Sequence, residues 1–207
     1  ITQEELNALV DEAHAFQKPA AAHCHTALSV RMALEADIDT VEHCTYADDD
    51  SVERLAASGK YCVPTLALRE ESVIEERRRR GTPEFVIKQA REISANCSAT
   101  FKRYHEAGVK FAMGTDTCWH PLFGSNAREL AIYVSLGLTP MAAIQTATRN
   151  AADALGMLDD LGTIEDGKIA DIIAVDGNPL DDIERLQDRE RIKLVVKEGA
   201  VAVDRIG

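Results

Sequence analysis

The chain has 207 residues, 45 % of them hydrophobic, with a formal net charge of −12 and a sequence pI near 4.9. That length fits one large domain or a domain with a small appendage, and the apolar fraction supports a real core rather than disorder. The acidic balance excludes nucleic acid and anionic membranes as partners, because both need a basic face. No apolar run is long enough to span a bilayer, and no positively charged start precedes an apolar stretch. Five cysteines at irregular spacing (Cys24, Cys44, Cys62, Cys97, Cys118) make no disulfide framework, so a reducing cytoplasm is the expected compartment. Ile1 stands without an initiator methionine, so upstream sequence is expected.

In chain order, Leu6, Leu9, Val10, Ala13 and Phe16 follow the helical period, with Thr2 and Glu5 spaced as a capping box and Lys18-Pro19 as the stop. AAAHC, ending at Cys24, reads as a short buried strand and 26–36 as a helix. TVEHC (40–44) is a second strand, and DDDSVERLAASG a helix with acidic residues at its positive end and Gly59 at its stop. YCVPTLAL (61–68) reads as a third strand and 69–81 as a charged stretch. A long helix is expected over about 83–107, then a fourth strand over 109–116. SNARELAIYVSLG and TPMAAIQTATRNAADALG read as two more helices, the second with Pro140 after Thr139. KIADIIAVDGNPL reads as a strand ending in a turn, and 192–204 as a hairpin split at Glu198-Gly199.

Alternating helices and uniformly apolar strands mark a parallel sheet covered by helices over 1–156; the β-rich 163–207 belongs to another layer. In parallel α/β barrels, function collects at the carboxyl ends of strands. There the sequence places His23, His43 and Asp116. Imidazole and carboxylate suit zinc and similar divalent ions, which make a nucleophile of water near neutral pH. The plain alternative for a single strand-end histidine is a hydrogen-bonded core residue; three such residues at matching strand ends argue for a site. His25, two residues after His23, points the same way on an extended chain and is a candidate substrate contact. Cys118 and His120 lie in the loop after Asp116, and His120 is a second candidate substrate contact. Cys24 and Cys44 alternate with the histidines and read as small packing residues. His14 and His105 fall in helices without a special role, and Arg77 to Arg80 reads as a solvated face.

AAAHCHTALSVRMALEADIDTVEHCTY, YCVPTLA, FAMGTDT and TPMAAIQTATRNAADALGMLDDLGTIEDGKIADIIAVDGNPLDDI together resemble the carboxyl half of metal-dependent amidohydrolases. The branch they resemble is the imidazolonepropionase-like and prolidase-like one (Xaa-Pro or Xaa-Arg dipeptidases). The single motifs are weak; their order and the stretch LGTIEDGKIADIIAVDGNPL are specific. The resemblance implies strands five to eight of a distorted (β/α)8 TIM-type barrel over 1–160, and part of a small β-sandwich over 161–207. It implies that His23 and His43 bind metal at the ends of strands five and six. Asp116, at the end of strand eight, would bind metal and shuttle the proton as the catalytic base. The expected cofactor is a divalent metal, zinc foremost, with one or two ions in the complete enzyme. The expected reaction is hydrolysis of a C–N bond, in a small-molecule amide or dipeptide, by metal-activated water.

The strand-one H-x-H and the strand-four residue of such barrels are not in this sequence. His23 and His25 do not replace that H-x-H, because EHC follows after a single helix and leaves no room for four strands. The missing amino-terminal half or a second copy is therefore expected as partner, and a homo-oligomer as the assembly. The alternative function is a catalytically incomplete half-barrel serving assembly or binding. Thiol redox chemistry finds no C-x-x-C to support it.

Overall fold

The computed structural model describes residues 1–117 and 123–206. Its amino-terminal unit, Ile1–Asp116, carries four strands and five α-helices in chain order. These are α1 (Gln3–Ala15), β1 (Ala21–Cys24), α2 (Ala27–Glu35), β2 (Thr40–His43), α3 (Asp49–Ser58), β3 (Tyr61–Val63), α4 (Glu71–Arg79), α5 (Glu84–Glu106) and β4 (Lys110–Phe111). The strands form one parallel sheet in the order β1-β2-β3-β4. Sheet order thus follows chain order, as βαβ crossovers produce.

Each helix begins where its sequence says it should. Thr2, Thr26 and Asp48 cap α1, α2 and α3 through reciprocal bonds with the residue three positions on. Gly59 closes α3 at φ 69°, a left-handed conformation that costs glycine nothing. The helices bury Val30, Ala33, Leu55 and Ile87 completely, together with Val41 of β2. Phe101 of α5 stacks on Phe111 of β4 with ring centroids 4.5 Å apart, which ties the long helix to the last strand. At the opposite end of β1, Asp39 accepts from the Ala20 amide at 2.7 Å and lies 2.9 Å from His14 Nε2, a structural role for that histidine.

Three elements of this unit differ from the sequence expectation. The strand expected over 61–68 stops at Val63, because Pro64 has no N–H for the ladder; residues 67–69 form a 3-10 turn instead. The charged stretch is itself a helix, α4, held by exposed Arg–Glu pairs such as Arg80 to Glu76 at 2.8 Å and by the buried Val73 and Ile74. The strand expected over 109–116 has only two residues in regular pairing, although the Ala112 amide still donates to Cys62 O at 3.1 Å.

The second unit, Thr117–Gly207, holds α6 (Arg128–Ser135), α7 (Pro140–Thr146), α8 (Arg149–Ala154), β5 (Ile172–Val175), β6 (Ile192–Lys197) and β7 (Ala200–Asp204). Its strands form an antiparallel sheet, with β6 and β7 joined by the expected turn at Glu198-Gly199. The single helix expected from Thr139 to Gly156 is two, broken at Ala147-Thr148. Thr146 and Thr148 turn their hydroxyls back onto Ala143 O (2.6 Å) and Ile144 O (3.0 Å), the local competition that weakens a helix interior. No helix among the described residues is long and apolar enough to cross a membrane.

The Asp48 carboxylate accepts from the Ser51 amide at 2.9 Å and from Arg31 at 2.8 and 2.9 Å. Arg31, with the Ser51 amide, holds its pKa down to about 2. A depressed carboxylate pKa stabilises the fold above the unfolded value of about 4 and loses that effect as pH falls towards 2. Asp48→Ala is therefore expected to lower stability at neutral pH, with the gap to the parent chain closing as pH falls towards 2. Urea denaturation at pH 7, 4 and 2.5 reads this directly.

Candidate active site

Four non-glycine residues with positive φ sit at the carboxyl edge of the parallel sheet: His43 (70°), Cys44 (48°), Thr65 (53°) and Asp116 (49°). Left-handed backbone costs a non-glycine residue on the order of 1 to 3 kcal/mol, most for a β-branched one such as threonine. Strain gathered at one end of three neighbouring strands marks a site that the surrounding packing enforces.

Its effect is clearest at β2. Register pairs His23 with Glu42 and Cys24 with His43. Strict alternation would therefore place the His43 side chain on the face of Cys24, away from His23. Thr40 and Glu42 do share a face, for the Thr40 hydroxyl donates to Glu42 Oε1 at 2.8 Å. At His43 the left-handed backbone breaks the alternation, and its ring meets that of His23. His23 Nδ1 lies 2.6 Å from His43 Nε2.

The other nitrogen of His43 is held from behind. Its Nδ1 lies 2.7 Å from the Thr65 hydroxyl, which is itself buried. Thr65 reaches this place because Pro64 ends β3 and the left-handed turn swings the next residue inward. His25 stacks on His43 with centroids 4.7 Å apart and planes 3° apart, and its Nδ1 lies 2.9 Å from the Thr45 hydroxyl. His43 is 6 % exposed, whereas His23 and His25 face solvent. Burial and the neighbouring His25 and His23 push the His43 pKa down to about 4, so its ring is neutral at pH 7. Burial and Arg69 lower His25 as well. Glu42 is raised, first by desolvation.

The two facing nitrogens suit a divalent ion. Both rings can be neutral donors, and a hydroxyl behind His43 sets its tautomer, the usual support for a ligating histidine. Two imidazoles on one tetrahedral zinc at about 2.05 Å stand about 3.3 Å apart, so the rings would part by about 0.7 Å to admit it. Asp116 lies at the same edge and acts electrostatically on His25, His43 and Glu42. Its carboxylate is not gathered with the imidazoles: among the described residues no three His, Cys, Asp or Glu side chains converge closely enough to hold an ion. His120 and Cys118 lie outside the described residues.

Cys24 and Cys44 are buried packing residues, as expected; burial pushes the Cys24 thiol up to about 12, and the hydrogen bond with Cys62, then burial, raises Cys44. Arg78, Arg79 and Arg80 pair with Glu84 and Glu76 at the surface. Sequence reasoning missed Thr65, Glu42 and Arg69. The signal for Thr65 was the Pro-Thr step that ends a strand one position before it.

A parallel α/β sheet with its strained, polar residues at the strands' carboxyl edge defines an enzyme-like architecture. The amidohydrolase family model matches residues 1–202, and the chain belongs to that family. Ochratoxinase of Aspergillus niger is 33 % identical over 201 residues, covering 95 % of this chain and 40 % of that protein. Imidazolonepropionase of Pyrobaculum arsenaticum is 31 % identical over 174 residues, 80 % of this chain and 36 % of that one. Among solved structures, a Xaa-Pro dipeptidase with methionine bound in its active site is 36 % identical at a TM-score of 0.87, over 98 % of this chain and 49 % of that chain. The Aspergillus niger ochratoxinase structure aligns at a TM-score of 0.85 and 30 % identity over 99 % of this chain and 46 % of that chain. The chain thus spans about half the length of the relatives it matches, or less.

Gly114, just before Asp116, has no room for a side chain: a Cβ there would stand 2.5 Å from Val63 Cγ1. Gly114→Ala is expected to destabilise the protein by about 1–3 kcal/mol, the usual cost of overpacking. In a urea-unfolding double-mutant cycle, Val63→Ala is expected to recover most of that loss; additive losses would show that this contact does not limit the site.

Proposed function

We propose that the chain is the carboxyl half of a metal-dependent amidohydrolase, strands five to eight of its barrel, and that the complete protein hydrolyses a C–N bond in an amide or dipeptide. In this reading residues 1–160 belong to the barrel and 161–207 to a small sandwich domain. The observation that carries it is the His23–His43 nitrogen pair, 2.6 Å apart and buttressed by Thr65. Family membership supports it, as do the names of the relatives: an ochratoxinase, an imidazolonepropionase and a Xaa-Pro dipeptidase.

His23 and His43 would hold a divalent ion, zinc foremost, through Nδ1 and Nε2, and Asp116 would join them. A bound ion of this kind supplies Lewis-acid activation of water and of the scissile carbonyl. The chain's own residues do the rest. His43 stays neutral because it is buried and crowded by His25 and His23, which keeps its Nε2 lone pair free. The Thr65 oxygen accepts from the Nδ1–H of His43 and fixes the ring. Asp116, exposed in the segment that follows β4, takes the proton of the attacking water on its carboxylate and returns it to the leaving nitrogen. His25, stacked on His43 and facing solvent, is placed to contact substrate, and His120 is the second such candidate. Both sheet edges, β1 and β4, need partners, which the other half of the barrel would supply.

The test is turnover by the complete protein on Xaa-Pro and Xaa-Arg dipeptides and N-acyl amino acids. Cleavage is expected with zinc or manganese present and lost with chelator. His43→Ala is expected to lower kcat/KM at least about 100-fold, of the size expected when an essential interaction is lost. No turnover on the whole panel with metal bound would overturn the hydrolase reading and favour an assembly role.

A further inference from the structure

The segment that follows the strained turn at His43 and Cys44 is held from outside by the long helix α5. Cys97, Thr100, Phe101 and Tyr104 form a buried stripe of that helix, at spacings of three and four residues. From this stripe the Thr100 hydroxyl donates to Thr45 O at 3.1 Å. Arg103 donates to Ala47 O at 2.7 Å and lies 2.6 Å from the Asp49 carboxylate. Phe101, between the two, stacks on Phe111 of β4. Residues 45–49 therefore rest on a helix that is itself tied to the sheet.

Thr45 is buried, and its side chain meets the other loop at this edge, the one after β1. Its hydroxyl lies 2.9 Å from His25 Nδ1, and the next amide, that of Tyr46, donates to His25 O at 3.1 Å. Side chain and backbone together join the loops after β1 and β2. His25 itself is exposed, with its ring parallel to that of His43. Stacking fixes the plane of such a ring more than its place within that plane, since dispersion has no direction. The outer torsion of a histidine is also broad and roughly two-fold. A bond to a buried hydroxyl removes that freedom. It occupies Nδ1 and leaves Nε2 as the nitrogen open to a ligand.

We propose that Thr45 is a positioning residue: anchored by Thr100 of α5, it sets the place of the His25 ring over His43 and thereby the nitrogen that His25 offers to substrate. The effect on turnover rests on the hydrolase reading; the placement of the ring does not. Thr45 touches no reacting atom and acts through His25. A hydroxyl carried by a loop positions little by itself, because loop backbone moves. The bond from Thr100 lends it the rigidity of a helix, which a supporting shell needs.

Two readouts on the complete, zinc-loaded protein test this. Thr45→Val keeps the volume of the side chain and removes its hydroxyl. Crystal structures are expected to show the His25 ring on the Thr45 hydroxyl in the parent. In Thr45→Val the ring is expected to be displaced by about 1 Å or more, or spread over two conformers. A ring that keeps its place without the hydroxyl would overturn the proposal. In kinetics, Thr45→Val is expected to lower kcat/KM about 3–10-fold, the size of one neutral hydrogen bond, and Thr45→Ser to recover most of that loss. In the His25→Ala background, Thr45→Val is expected to cause no further loss. A loss that persists there, or no loss in the parent background, would overturn the proposal, because a purely structural role does not depend on His25. If Thr45→Val does not fold, Thr100→Val decides: a loss that disappears in the His25→Ala background supports the proposal, and any other result overturns it. A parent protein that cleaves none of the amide substrates removes the hydrolase reading alone, and the ring positions then decide the role of Thr45.

Discussion

The left-handed turn at the end of β2 is the constraint on which the candidate site depends. Without it, the pleat of a parallel strand would send the side chains of His23 and His43 to opposite faces of the sheet, since Cys24, not His23, is the register partner of His43. With φ at 70° for His43 and 48° for Cys44, the ring comes over the edge and its Nε2 meets His23 Nδ1. Such a conformation persists only if the surroundings over-determine it. They do: Cys44 is buried behind the turn, Thr65 holds the Nδ1 side of the ring and His25 covers its face.

The same logic runs through the neighbouring strands. β3 is cut short by Pro64, and the cut places Thr65 where a continuing strand would not. β4 pairs regularly for only two residues before Gly114 passes close against Val63 and the chain turns left-handed at Asp116. Short strands and strained ends are therefore one feature. The sheet supplies a rigid floor, and the irregular residues at its edge carry the polar groups. The packing that tolerates this lies behind, in the fully buried Val41, Leu55 and Ile87 and in the Phe101–Phe111 stack.

Much of this was legible in the sequence. The capping boxes at Thr2 and Asp48, the stop at Gly59 and the β6–β7 hairpin follow from local chemistry, which sequence carries directly. His23 and His43 were legible as strand-end residues, and they do come together; Asp116 was expected there too, but its strand ends at Phe111. What could not be read was the break in alternation at His43, because positive φ at a histidine is imposed by tertiary packing. Thr65 was hidden inside an expected strand that proline ends early. Asp116 was legible as a candidate, but whether its carboxylate joins the imidazoles depends on long-range packing that no local pattern encodes.

The central claim is that His23 and His43 are two ligands of one ion. X-ray absorption at the zinc edge, on the complete protein loaded with one equivalent of zinc, tests it most directly. The account predicts at least two imidazole ligands at about 2.0–2.1 Å, with one fewer in His23→Ala and in His43→Ala. An unchanged imidazole count in both variants would contradict it, and would return this histidine pair to a structural role at the end of the sheet.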